Sequence, residues 1–213
     1  MIVISKLPAP SILTQYKLSN GAEYDGPNFT EVKNNIRDTL LNEQGFICAY
    51  CMRRISAGNM KIEHWECQSQ FADRQLDYKN MLGCCSGNEG EPQKFQTCDT
   101  KKGNQSLKFS PANPNDNIKL LIYYNDYGVI SSSDADFDVQ LNNVLNLNES
   151  RLKRNRAAAL SGLKKQLDSK PHKRTKSEIQ RILDSYRQLD EDGKFKEYIG
   201  VFVYYLEKKL RRL

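Results

Sequence analysis

All six cysteines of the 213-residue chain fall between Cys48 and Cys98. Cys48-Ala49-Tyr50-Cys51 is a C-x-x-C pair, a spacing at which two thiolates grip one metal ion from a tight turn. A tetrahedral zinc then needs two more soft ligands from elsewhere in the chain. Cys85 and Cys98 are the preferred second pair. They flank residues 86–97, a Gly-, Glu- and Gln-rich segment with the look of a surface loop. Cys84 competes with Cys85, because spacing does not separate adjacent residues. Cys67 reads as a small buried hydrophobe. The alternative for the whole set is ordinary buried thiols, but close clustering in a reducing compartment points to metal rather than to disulfides.

Among and beyond these cysteines stand three further segments: Ile62-Glu63-His64-Trp65, Leu76-Asp77-Tyr78-Lys79-Asn80-Met81-Leu82, and Cys98-Asp99-Thr100-Lys101-Lys102-Gly103. In this order they resemble the HNH nuclease family, in which a ββα-metal module presents its active site between two cysteine pairs. Many members carry a carboxylate-His dipeptide on a strand, an Asn before an apolar pair, and a cysteine followed by a polar ligand and Lys-Gly. The interrupted second cysteine pair, the Cys-Asp-x-x-Lys-Gly ending and Asn143-x-Leu-Asn-Leu-Asn148 before a basic helix are similar to one branch. That branch is the PtuB-like HNH subunit of Septu-type anti-phage systems, also found beside some retrons. The resemblance covers roughly residues 45–160. Two departures stand out: the second cysteine pair is split by residues 86–97, and the last motif position, often His or Asn, is Asp99.

A phosphodiester resists hydrolysis because its negative charge repels nucleophiles. An enzyme must activate water, neutralise charge and stabilise the leaving oxygen. His64 is the natural general base, since an imidazole near neutral pH is partly unprotonated. Asn80 is expected to fix His64 through its side-chain oxygen, leaving the other ring nitrogen free. The resemblance implies that Glu63 and Asp99 hold a catalytic ion, and two carboxylates with waters suit Mg²⁺ or Mn²⁺ better than zinc. Neighbours on a strand point to opposite faces, so Glu63 and His64 share a site only where the strand bends or ends. The ion would act as a Lewis acid on the phosphate, and the resemblance implies a 5′-phosphate product. Arg53, Arg54, Lys101 and Lys102 are the candidate phosphate contacts, with plain surface exposure as the alternative. The structural alternatives are an exposed strand end for Glu63-His64, a turn cap for Asn80 and a helix N-cap for Asp99. Trp65 reads as core, and His172 as an exposed residue of a basic loop.

The elements that must position these residues are short inside the cysteine-rich segment and long outside it. Residues 1–28 read as an extended lead-in, with prolines and Asn-Gly and Asp-Gly turns. Residues 29–42 read as a helix with Val32, Ile36 and Leu40 on one face, Thr30 capping its start and Gly45 ending it. From 45 to 103 only short strands are expected, the look of a module held by metal rather than apolar mass. A hairpin follows around Asn125-Asp126-Tyr127-Gly128. A helix runs onward from Asn148 with Leu160, Leu163 and Leu167 inward, stopped by Pro171. Thr175 with Glu178 forms a capping box for the next helix. A last helix carries Phe195, Tyr198, Ile199, Phe202 and Leu206 on one stripe.

These readings predict an α+β protein: a small zinc-stapled ββα-metal core, an N-terminal helix and a mainly α-helical C-terminal half. The expected divisions are residues 1–44, 45–110 and 111–213. Residues 1–150 carry 14 Lys/Arg against 18 Asp/Glu, and residues 151–213 carry 18 against 8, so net charge changes from −4 to +10 along the chain. That asymmetry is an electrostatic footprint for a polyanion or else a solvated helix face. No stretch approaches the ~18 apolar residues of a membrane span. A cytoplasmic, bacterial protein is expected. The leading reading is a nuclease acting on DNA or RNA within a defence complex. The resemblance implies a PtuA-like ATPase partner and, in a retron setting, a reverse transcriptase with its RNA and DNA. The competing reading is a non-catalytic, zinc-stabilised nucleic-acid-binding or adaptor subunit.

Overall fold

The computed structural model describes residues 1–169 and 172–213. Helix α1 spans Ser11–Tyr16 and helix α2 spans Phe29–Glu43. The extended reading of residues 1–28 is therefore corrected at α1. Pro10, at its N-cap, supplies a preset φ, and Leu13 is fully buried. Val32, Ile36 and Leu40 of α2 recur at a four-residue interval, and all three are buried. Thr30 is not the cap of α2. The cap position is Asn28, in the left-handed region, and its side chain makes no capping bond. Gly45, at φ +56, turns the chain out of the helix.

Strand β1 (Met60–His64) pairs antiparallel with strand β2 (Met81–Cys85), in a register that sets His64 opposite Met81 and Met60 opposite Cys85. Helix α3 (Cys98–Lys102) packs against β2. Helix α4 (Ile118–Leu121) leads into a second antiparallel pair, β3 (Ile122–Tyr124) and β4 (Ile130–Ser132), joined by the expected Asn125–Gly128 turn. Helix α5 (Ala135–Val139) runs on into a π-helical turn, Gln140–Val144. Then come α6 (Ser150–Asp168), α7 (Lys176–Arg187) and α8 (Ile199–Leu210). The mix of helices with two small antiparallel sheets is the α+β class expected.

The Thr175–Glu178 capping box forms at α7 as the sequence suggests. Helix α8 begins later than its apolar stripe, so Phe195 and Tyr198 precede it rather than lying on it. The Tyr198 N–H instead bonds the Met52 carbonyl, tying the approach to α8 onto the first cysteine turn. Pro171, expected to stop the preceding helix, lies outside the described residues. A single cluster of buried apolar side chains joins Leu13, Ile36 and Leu40 to Tyr50, Met81 and Leu82, and these to Leu163, Leu183 and Leu206. No helix among the described residues is long and apolar enough to cross a membrane.

Candidate active site

The first cysteine pair sits on a tight turn. The Cys48 N–H bonds the Arg53 carbonyl, the Met52 N–H bonds the Cys48 carbonyl, and Ala49 bonds the Gly83 carbonyl on β2. Cys85 ends β2, and Cys98 opens α3. Between these two, residues 86–97 form a loop pinched at its base, where the Thr97 N–H bonds the Gly87 carbonyl at 2.8 Å. Gly87 must be glycine here: its φ is +57, and a Cβ would lie 2.1 Å from the Thr97 carbonyl oxygen. The pinch returns the chain to its starting point, so a twelve-residue interruption brings Cys98 back beside Cys85.

The Sγ atoms of Cys48, Cys51, Cys85 and Cys98 all lie within 4.8 Å of one another, and all four residues are buried. Cys48 and Cys98 are 3.9 Å apart, and Cys51 and Cys85 are 3.7 Å apart. A tetrahedron with metal–sulfur bonds of about 2.3 Å has edges of about 3.8 Å. Four thiols at these separations are too far apart for disulfides and fit a structural metal such as zinc. Cys84 is buried but lies outside the group. Adjacent strand residues face opposite ways, which is the distinction that spacing alone did not make.

Glu63 and His64 close β1. They line one pocket of about 510 Å³ together with Asp99, from the first turn of α3, and Cys67. Ile62, Glu63 and His64, at the C-terminal end of β1, border this pocket in succession. The strand stops at His64, and neighbours can share a site where a strand ends.

Glu63 is 3% exposed. Its Oε1 accepts hydrogen bonds from the Tyr50 hydroxyl at 2.9 Å and pairs with Lys102 Nζ at 2.8 Å. Burial, and then the adjoining Asp99 carboxyl, push the Glu63 carboxyl well above the usual range, while Lys102 opposes them. Two carboxyls this close need a proton or a cation between them.

The His64 ring is buried, edge-on to Tyr24 with centroids 4.6 Å apart. Its Nε2 lies 2.9 Å from the Gln75 carbonyl oxygen. A carbonyl only accepts, so Nε2 carries the proton and Nδ1 keeps its lone pair. Burial lowers the imidazole pKa, with the Gln75 bond opposing, so the ring is neutral near pH 7. Asn80 does not make the bond to His64 expected of it. Its Oδ1 accepts from the Glu66 N–H, and its Nδ2 donates to the carbonyls of Glu66 and Arg74. Asn80 thus pins the turn after β1, and the Gln75 backbone orients the ring.

No protein-family model matches the chain. Over 125 residues it is 31% identical to a Vibrio cholerae (serotype O1, biovar El Tor) protein named "Retron Vc95 putative HNH endonuclease". The similarity covers 55% of this chain and 60% of that relative, so the chain spans less than two thirds of the relative's length.

The four candidate phosphate contacts fare differently. Arg53 Nη2 lies 3.4 Å from Cys85 Sγ, where its charge offsets thiolate charge. Arg54 is spent on the carbonyls of Gly45, Phe46 and Phe195. Lys102 is 1% exposed and bound to Glu63 and the His64 carbonyl. Lys102 is thus withdrawn from solvent, while Arg53 and Arg54 are half-buried, with their guanidinium groups engaged within the protein. Lys101 is half-buried, with Nζ 3.4 Å from the Gln93 carbonyl. Cys67 is buried, as expected, though it borders the pocket, 3.5 Å from the Ser69 hydroxyl. Trp65 packs partly against the core, and His172 is exposed. Sequence reasoning missed Tyr50, Gln75 and the true place of Lys102. The signals open to it were the position of Tyr50 between two metal-type cysteines and of Lys102 one turn after Asp99. A backbone carbonyl such as that of Gln75 leaves no sequence signal.

Proposed function

We propose that the chain is a metal-dependent HNH endonuclease that hydrolyses phosphodiester bonds, with DNA favoured as substrate and RNA as the alternative. The observation that carries this reading is the convergence of Glu63, His64 and Asp99 on one pocket beside a four-thiol cluster. Residues 45–110 would be the ββα-metal module, framed by residues 1–44 and 111–213. Cys48, Cys51, Cys85 and Cys98 would hold zinc as a structural staple. Glu63 and Asp99 would hold Mg²⁺ or Mn²⁺, an oxygen donor set that fits a hard cation. When bound, that ion supplies Lewis acidity and charge neutralisation at the phosphate.

The chain's own residues do the rest. His64, with its Nε2 proton held by the Gln75 carbonyl, presents Nδ1 to take the proton from an attacking water. Tyr50 and Lys102 hold the Glu63 carboxylate in place. Asn80 acts at one remove, fixing the turn that follows His64. The relative is named for a retron; with the sequence resemblance to PtuB-like subunits, this reading extends to an effector role in anti-phage defence, with a reverse transcriptase, its RNA and DNA, and a PtuA-like ATPase as partners.

The test is incubation of the purified chain, alone and with its genomic neighbours, with plasmid and total RNA in Mg²⁺ or Mn²⁺. His64→Ala should cut about 10²–10⁴-fold more slowly while keeping its metal content and fold. Equal cutting by the variant would remove His64 as the base. Absence of cutting under every condition would leave the non-catalytic adaptor reading in its place.

A further inference from the structure

One large concave surface shares no residue with the candidate active site. It is a pocket of about 800 Å³ between the β3–β4 hairpin, α6 and the end of α8. Tyr123, Tyr124, Tyr127, Tyr204 and Tyr205 line it. So do Lys164, Lys173, Lys208, Lys209 and Arg212. The carboxylate in its lining, Asp126, is taken by Lys164 at 2.9 Å. Among the described residues, no carboxylate pairs with Lys173, Lys208, Lys209 or Arg212.

Tyr127 stands at the hairpin tip, 81% exposed. It also borders a second hollow, of about 380 Å³, whose cations are Lys153 and Arg154. Gly128 permits this close seating of the hairpin on α6. At φ +74, a Cβ there would meet the Lys153 carbonyl oxygen at 2.1 Å. Basic residues therefore continue past both sides of an exposed aromatic ring.

Unopposed cations among tyrosine rings match a polyanion that also carries flat apolar faces. In a duplex those faces are stacked on one another and out of reach, so the tyrosine rings would find nothing to stack on. Continuation of the basic lining beyond Tyr127 favours a polymer over a single nucleotide. We propose that this groove binds single-stranded nucleic acid, with phosphates on its lysines and Arg212 and bases stacked on Tyr123, Tyr127, Tyr204 and Tyr205. The site is separate from the Glu63–Asp99 pocket and stands whether or not that pocket cuts.

The test is fluorescence anisotropy of the full chain with a labelled oligothymidylate and with a duplex of equal length, over a salt series and without added divalent ions. The single strand should bind more tightly than the duplex. Neutralising three cations together (Lys208→Gln, Lys209→Gln, Arg212→Gln) should reduce the log–log salt slope by about 2 and weaken binding about a hundredfold near 0.1 M salt. Tyr127→Ala should weaken the single strand at least about fivefold and the duplex less. For the unaltered chain, ultraviolet cross-linking to 5-iodouracil oligonucleotides should leave adducts on the four tyrosines. Failure to bind, equal affinity for duplex, unchanged binding by these variants, or adducts confined to the Glu63–Asp99 pocket would each overturn the proposal. A chain that binds through the groove yet never cuts upsets the nuclease reading alone. One that cuts but ignores groove substitutions upsets this one alone.

Discussion

The cysteine-rich segment and the C-terminal helices reach order by opposite means. Between residues 45 and 103, β1, β2 and α3 have five residues each, and Glu63, His64, Asn80, Thr97 and Lys102 are buried there. Beyond residue 149, α6, α7 and α8 have 19, 12 and 12 residues and bury mainly Leu, Ile, Val and aromatic side chains. The first region holds buried polar groups in position through specific partners, and a metal held by its four thiols would supply what apolar area does not. The second is held by amphipathic faces, which leaves its surface free to carry the +10 of residues 151–213. Chemistry and charge surplus thus occupy different halves: the acidic residues needed for a cation site lie in one, the cations suited to a polyanion in the other.

The contrast breaks hardest at the thiols. Cys85→Ala should abolish stoichiometric zinc binding, measured on the purified chain, because structural zinc contributes on the order of 10 kcal/mol to modules of this kind. Hydrogen exchange should then rise first over residues 45–103 and last in α6. Cys84→Ala should keep the zinc and cost about 1 kcal/mol. Equal loss from both variants would contradict the observed grouping of thiols.

Lys102→Met strands a buried carboxylate and should cost about 3–5 kcal/mol in denaturant unfolding. Pairing it with Glu63→Gln should recover much of that loss, as coupled partners do. Simple additivity would mean that the Lys102–Glu63 contact is not the cause.

In the helical half the expected effects are smaller. Glu149 caps α6, its carboxylate accepting from the N–H groups of Arg151 and Leu152. Burial pushes its pKa up, but the Ser150 hydroxyl and those two N–H groups more than offset this and leave it lowered. A folded-state pKa below the unfolded value stabilises the fold above about 4.5, and that stability is lost as pH falls through the folded pKa. Glu149→Ala should cost about 1 kcal/mol near pH 7 and progressively less in acid. A pH-independent difference would show that packing, not the charged cap, is lost.

The smallest effect is expected where the sequence looks most unusual. Replacing residues 88–96 by two glycines would place the Gly87 carbonyl and Thr97 N–H in the relation of an ordinary four-residue turn. Zinc content should be retained, with a cost limited to lost contacts such as the Asn146 bonds to the carbonyls of Lys94 and Gln96. Loss of metal would show that the loop does more than bridge.

Much was legible where local spacing carries the physics. The four-residue interval of Val32, Ile36 and Leu40 marked α2, Thr175 with Glu178 marked the start of α7, and the cysteine spacing pointed to Cys48, Cys51 and Cys98 while leaving Cys84 or Cys85 as the fourth. The extended reading of residues 1–28 failed because a six-residue helix anchored by Leu13 is a tertiary event, too short to show a period. The Asn80 reading failed for a related reason. An amide can bond any nearby backbone group, and which one it meets depends on where the turn after β1 folds back.

Alone, the sequence settled residue types, their order and the charge contrast between halves, because these are properties of the chain before it folds. Only the tertiary structure decided which groups share a dielectric. It turned Lys102 inward onto Glu63, gave Arg53 to a thiolate, and gathered tyrosines and lysines from a hairpin and two distant helices into one groove. Burial and proximity across long chain separations set these pairings, and no local pattern encodes them.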